Sequence, residues 1–264
     1  MSVNTKLMSS ASGALFFTLV VIYASGYYQL VQSHIMLTLI LTLFFPLIFF
    51  PLVKPVENDD EIKRILYLES GFNLVCFIMI CHWVDVSYLD NALMVFFGIQ
   101  TMGFIWVQLK THAYLSVVIS LCLGGAIAQW IHSSGNTLYL GSAKLLLFGT
   151  PVPWQLKVIY GAWLIQLLFV EYKHVLPKMV PAAIHIASYT IAIFADDFFH
   201  ARIITASHFL FLNLCFDFKS PNWGVNNLSC LQTFTKIVCS QRVQWSISGV
   251  MIMISVLSFW SLVG

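Results

Sequence analysis

The residues best able to do chemistry lie in a polar knot, Asp196-Asp197-Phe198-Phe199-His200-Ala201-Arg202, set between two apolar runs. Asp196 stands four residues before His200 and Asp197 three, so on a helix either carboxylate can orient the imidazole or share a ligand with it. Glu69 is a second candidate. It lies inside the apolar stretch Tyr67-Leu68-Glu69-Ser70-Gly71-Phe72-Asn73, where an ionised carboxylate costs about 3 kcal/mol in a bilayer. Asn73 is one turn further and Cys76 two turns, which makes a narrow polar stripe on one helix face. Pairing of Glu69 with Lys63 or Arg64, or snorkelling to the interface, is the open alternative. A third set, His34, His82, Asp85 and His132, falls at the ends of apolar runs. Imidazole and carboxylate together suit a transition metal, zinc, iron or copper, and equally suit general acid and base work. The catalytic candidates are therefore Asp196, His200 and Glu69, and the metal-ligand candidates His82, His132, Asp197 and His200. Interfacial solvation also collects Asp and His at span ends, so that alternative stays open.

Two further histidines lie within the runs. His185 and Asp196 are eleven apart, almost three helical turns, and with Ser188 they can line one face. His208 reads as a hydrogen-bonded core residue. The motifs of several common membrane and soluble enzymes are missing: HxxxH, GxSxG, DxxxD, HExxH and a phosphate-cradling glycine loop.

The elements that must position these residues are membrane helices. Hydrophobic residues make up 59% of the chain and charged ones 9%, against about a quarter charged in a soluble domain. A net charge of +2 with scattered basic residues does not suit a nucleic-acid partner. Apolar runs long enough for a bilayer core fall at 9–31, 34–53, 65–84, 91–108, 113–132, 155–171, 180–196, 202–216 and 244–263. The expected fold is an all-α integral membrane protein, a multi-pass bundle of about seven to nine transmembrane helices forming a single transmembrane domain over 1–264. Lys6 followed by some twenty apolar residues reads as a retained first span. With a cytoplasmic N-terminus, ten of the thirteen Lys and Arg residues fall inside, leaving Lys144, Lys157 and Arg202 outside.

Residues 54–64 are then a charged cytoplasmic loop, and 217–243 a cytoplasmic connection. Within the latter, Leu228, Leu231, Phe234 and Val238 recur at helical spacing opposite Lys236, Gln241 and Arg242, the pattern of a helix lying on the membrane surface. The apolar segment between Tyr139 and Pro153 is too short to cross and suits a re-entrant or interfacial piece. Trp83, Trp130, Trp154, Trp223 and Trp245 fall near span ends, as an interfacial belt would. Gly124-Gly125, with Ala126 and Ala128, permits close helix approach.

Phe97-Gly98-Ile99-Gln100-Thr101-Met102 leading to Trp106-Val107-Gln108-Leu109-Lys110, then Ile159-Tyr160-Gly161 leading to Phe169-Val170-Glu171-Tyr172, resemble the heliorhodopsin family over spans three to seven. That opsin-like resemblance implies a cytoplasmic N-terminus and puts Glu69 near the family's third-helix counterion. At Ser188-Tyr-Thr-Ile-Ala192 alanine occupies the place of the lysine that binds retinal, so no Schiff base forms, and residues 202–264 have no counterpart.

The function expected from the residues is a membrane-embedded enzyme acting on a lipophilic lipid, sterol or isoprenoid substrate, through a His/Asp site at the non-cytoplasmic helix ends. A non-catalytic binder or sensor of an apolar ligand is one alternative. The other is a structural subunit of a larger membrane complex. The implied partners are the bilayer, a lipophilic small molecule and membrane-protein subunits.

Overall fold

The computed structural model describes residues 3–33, 59–81, 83–85, 88–134, 139–140, 145–146, 151–172, 179–218 and 228–264, with the isolated positions 37, 40, 220 and 223. The helices are α1 (Val3–Ser33), α2 (Asp59–Ile80), α3 (Leu89–Lys110), α4 (Tyr114–Ser134), α5 (Trp154–Gln166), α6 (Met179–Phe194), α7 (Phe198–Phe216), α8 (Ser229–Val238) and α9 (Gln241–Val263). A π-helical turn, Leu167–Glu171, continues α5. Between α4 and α5, Tyr139–Leu140 (β1) pairs antiparallel with Leu145–Leu146 (β2). The segment too short to cross is thus not helical where it is described.

Among the described residues five helices are long and apolar enough to cross a membrane: Met8–Ser33, Asp90–Lys110, Tyr114–Ser133, Phe198–Phe216 and Gln241–Val263. Val180–Phe194 is a shorter apolar helix. The expected span at 34–53 and most of the 54–64 loop's first half lie outside the described residues. The second half of that loop is helical, because α2 starts at Asp59.

Contacts gather into two compact units. The first holds α1, α2, α6, α7 and the small hairpin. Its centre is α7, buried at sixteen of its nineteen positions, with α6, α2 and α1 packed against it. This run is shortest in sequence because charged Arg202 interrupts the apolar pattern, yet the helix begins four residues earlier, at Phe198. The second unit holds α3, α4, α5 with its π turn, and α9. There α9 packs on α5 and α4, and α4 on α5. Glycines bring these helices close: a Cβ at Gly124 would meet Thr101 Cγ2 at 2.8 Å, and one at Gly125 would meet the Phe259 ring at 3.1 Å.

The surfaces run opposite to those of a water-soluble bundle. On α9 the outward residues are Val250, Met253, Leu257 and Trp260, whereas Ser248, Ser255 and Ser258 are buried. An apolar exterior around a polar seam is what hydrocarbon surroundings select, since lipid solvates leucine as well as a core does. Trp83, Trp154 and Trp245 are exposed as a belt requires, but Trp130 is buried, packed inside the second unit.

Candidate functional site

In the first unit the polar knot is a sharp turn between α6 and α7. Asp197 has extended backbone (φ −110°, ψ 92°), and its carboxylate accepts a hydrogen bond from the His200 backbone N–H at 3.1 Å. This is N-capping, which satisfies a donor that the first helical turn leaves over. The carboxylate therefore bonds the backbone of His200, not its ring. Asp196 is exposed on the same turn, beyond the end of α6 at Phe194, so it does not continue the helical face of His185 and Ser188.

The His200 ring is fully buried and faces α1, with Gln32 Nε2 2.9 Å from Nδ1. An amide nitrogen only donates, so Nδ1 accepts and the ring proton resides on Nε2. Nε2 has no hydrogen-bond partner among the described residues.

Arg202, expected at the outer loop, is buried inside the bundle. Its Nη1 donates to Ser188 Oγ at 2.7 Å, and Ser188 and Thr205 share a 2.6 Å hydroxyl pair. Thr205 Oγ1 also donates to the Ala201 carbonyl at 2.7 Å. The guanidinium acts electrostatically on Glu69 of α2, which is 5% exposed. Asn73, one turn on, is 1% exposed, as the stripe on one face predicts. Glu69 Oε2 and both amide atoms of Asn73 have no hydrogen-bond partner among the described residues. The cation near Glu69 is thus Arg202, a neighbour in space and remote in sequence. The side chains of Lys63, Arg64 and Cys76 lie outside the described residues.

His208, further along α7, behaves as a core histidine. Its Nε2 is 2.8 Å from the Tyr23 hydroxyl, and its ring stacks on Tyr27 at 3.9 Å between centroids.

Among the described residues no three His, Cys, Asp or Glu side chains gather where one ion would reach them. Asp197 and His200 are neighbours in the first unit, with the carboxylate engaged in capping. His132 is exposed in the last turn of α4, in the second unit, and His82 lies outside the described residues. The expected zinc, iron or copper site has no geometric support here. Of the catalytic candidates, Glu69 and His200 are both in the interior of the first unit and Asp196 is at its surface.

The second unit contains a polar network that motif reading does not single out. Trp163 Nε1 donates to Ser120 Oγ at 3.2 Å, Ser120 to Gln108 Oε1 at 2.9 Å, and Gln108 Nε2 to Glu171 Oε1 at 3.0 Å. Gln166 Nε2 donates to Ser116 Oγ at 2.9 Å and to Ser248 Oγ at 3.1 Å. The one signal in the sequence was the spacing of Ser116 and Ser120, four apart on a single face of α4.

No protein-family model matches the chain, and no curated protein or solved structure matches it.

Proposed function

We propose that the protein is a multi-pass integral membrane enzyme acting on a lipophilic substrate, a lipid, sterol or isoprenoid, with a cytoplasmic N-terminus and seven to nine spans. The chemistry is assigned to Glu69 and His200 in the interior of the first unit. The observation that supports this reading is a buried carboxylate, amide and imidazole in an apolar bundle, of which Glu69 Oε2, both amide atoms of Asn73 and His200 Nε2 have no hydrogen-bond partner among the described residues. Such groups are costly to keep in a membrane unless they are used.

In this reading the Nε2–H of His200, its tautomer held by Gln32, is the hydrogen-bond donor that polarises a substrate oxygen. Glu69 is the proton-transferring carboxyl, with Arg202 as the charged group that acts on it, and Arg202 is itself held by Ser188. Asn73 orients a polar group of the substrate beside Glu69. Asp197 serves by fixing the first turn of α7, and the assignment to Glu69 and His200 does not use Asp196, which is exposed on the same turn. The heliorhodopsin resemblance enters only as an architecture.

The test is conversion of total lipid extract by protein in nanodiscs, followed by untargeted lipid mass spectrometry. The wild type should consume a lipid that Glu69→Gln and His200→Gln turn over at least about 100-fold more slowly, while Asp196→Asn retains full rate. Undiminished turnover in both interior variants refutes the assignment. A lipophile that stays bound and unconverted would replace it with the non-catalytic binder, and neither conversion nor binding with a structural subunit.

A further inference from the structure

The second unit gathers its charge at one end. Gln166 of α5 donates to Ser116 in the first turn of α4 and to Ser248 in the second turn of α9, and Gln108 near the end of α3 donates to Glu171. The last turns of α3 and α5 and the first turns of α4 and α9 therefore lie at one level. Phe234 meets Phe169 of the π turn at 5.9 Å, which puts the part of α8 from Gln232 onward at the same end. The charged residues described there are Lys110, Lys236 and Arg242, all exposed, and Glu171, half-buried and engaged by Gln108. At the opposite end, where α3 and α5 begin and α4 stops, the acid Asp90 stands against the base Lys157. The positive excess belongs to one end only.

Apolar surface is exposed beside each of these cations. Lys110 Nζ lies 5.0 Å from the centre of the Trp106 ring, and that indole is exposed. Ile237, next to Lys236, is exposed, and so is Trp245, three residues on from Arg242 in α9. In the turn between α3 and α4, His112 takes left-handed backbone (φ 56°), and its Nδ1 is 3.1 Å from the hydroxyl of exposed Tyr114. A charged tip and an indole or aliphatic body, side by side and uncovered by protein, suit a boundary between hydrocarbon and water. There the apolar body stays among acyl chains while the cation reaches the headgroups.

We infer that this end of the second unit is a binding surface for anionic phospholipids, with Lys110, Lys236 and Arg242 on the lipid phosphates and Trp106, Ile237 and Trp245 among the upper acyl chains. Charge complementarity selects the occupant. A zwitterionic headgroup brings an ammonium with its phosphate and leaves the three cations unbalanced, whereas an anionic one brings net negative charge. An acidic segment of a water-soluble protein would match the cations and leave the indoles unmatched. The cations form a rim contributed by α3, α8 and α9 and do not converge on one point, so each acts on lipid separately and their effects add. The inference is independent of the catalytic reading of the first unit.

The experiment is native mass spectrometry of the full chain in detergent, titrated with phosphatidylglycerol or phosphatidylcholine of matched acyl chains. Wild type should retain phosphatidylglycerol in preference to phosphatidylcholine. Lys110→Gln, Lys236→Gln and Arg242→Gln should each weaken the apparent affinity for phosphatidylglycerol about fivefold, cumulatively in the triple variant, with phosphatidylcholine binding unchanged. Lys110→Arg and Lys236→Arg should keep the preference, and Lys157→Gln at the opposite end should leave it as in wild type. Equal retention of the two lipids by wild type overturns the proposal without any variant. A preference kept in the triple variant, or lost as fully in Lys157→Gln, overturns it as well.

Discussion

Asp196 and Asp197 are adjacent acids with different environments, because one is exposed and the other bends back to cap α7. Asp197→Ala should lower unfolding stability by about 1 kcal/mol and Asp197→Ser by less, measured by thermal unfolding in detergent. A loss of all folded protein on Asp197→Ala would contradict a role limited to capping. Arg202 and Glu69 make a stronger coupling. Arg202→Leu removes the charged neighbour of Glu69 and the bond to Ser188, and should destabilise by about 1 to 3 kcal/mol. The double variant Glu69→Leu/Arg202→Leu should recover much of that loss. Strict additivity in this cycle would show that the two groups do not interact.

Among the elements, α7 is the one around which the first unit is arranged, and its ends are defined by specific residues. Asp217 closes it in the left-handed region (φ 49°), with its N–H on the Asn213 carbonyl at 2.9 Å. Asp217→Gly should hold or raise Tm, whereas Asp217→Val should lower it, by about 1 kcal/mol in stability. In the second unit, the close approach of α3 and α4 depends on Gly124, where a Cβ would press on Thr101 at 2.8 Å. Gly124→Val adds bulk against a branched side chain and should cost about 1 to 3 kcal/mol. Chemical denaturation of the variant beside wild type measures it, and unchanged stability would mean that the two helices separate freely.

For the whole molecule, the exposed apolar faces of α1, α3 and α9 make hydrocarbon the fitting surroundings. With the proposed orientation, cysteines introduced at Ser2 and at Gly264 should react with a membrane-impermeant maleimide from opposite sides of intact cells. Labelling of both from one side would change the number or direction of spans. The amphipathic pattern predicted for 217–243 does form a helix, α8. Phe234 meets Phe169 edge-on at 5.9 Å, and Ile237 on the same helix is exposed.

Apolar run length and the scarcity of charge were enough to place the helices at 91–108, 113–132, 180–196 and 244–263 to within a few residues, since a bilayer imposes length and polarity on each segment separately. The burial of Asn73 beside Glu69 was also legible, because residues four apart share a face wherever the helix lies. Tertiary structure decided the pairings. Gln32 with His200 and Gln108 with Glu171 are 168 and 63 residues apart, and no local spacing encodes such partners. It also decided that Arg202 in the first unit and Trp130 in the second are buried, since burial depends on which neighbouring helices cover a residue. The π turn beside Glu171 belongs to the same class, since the apolar run that contains it reads as an ordinary helix.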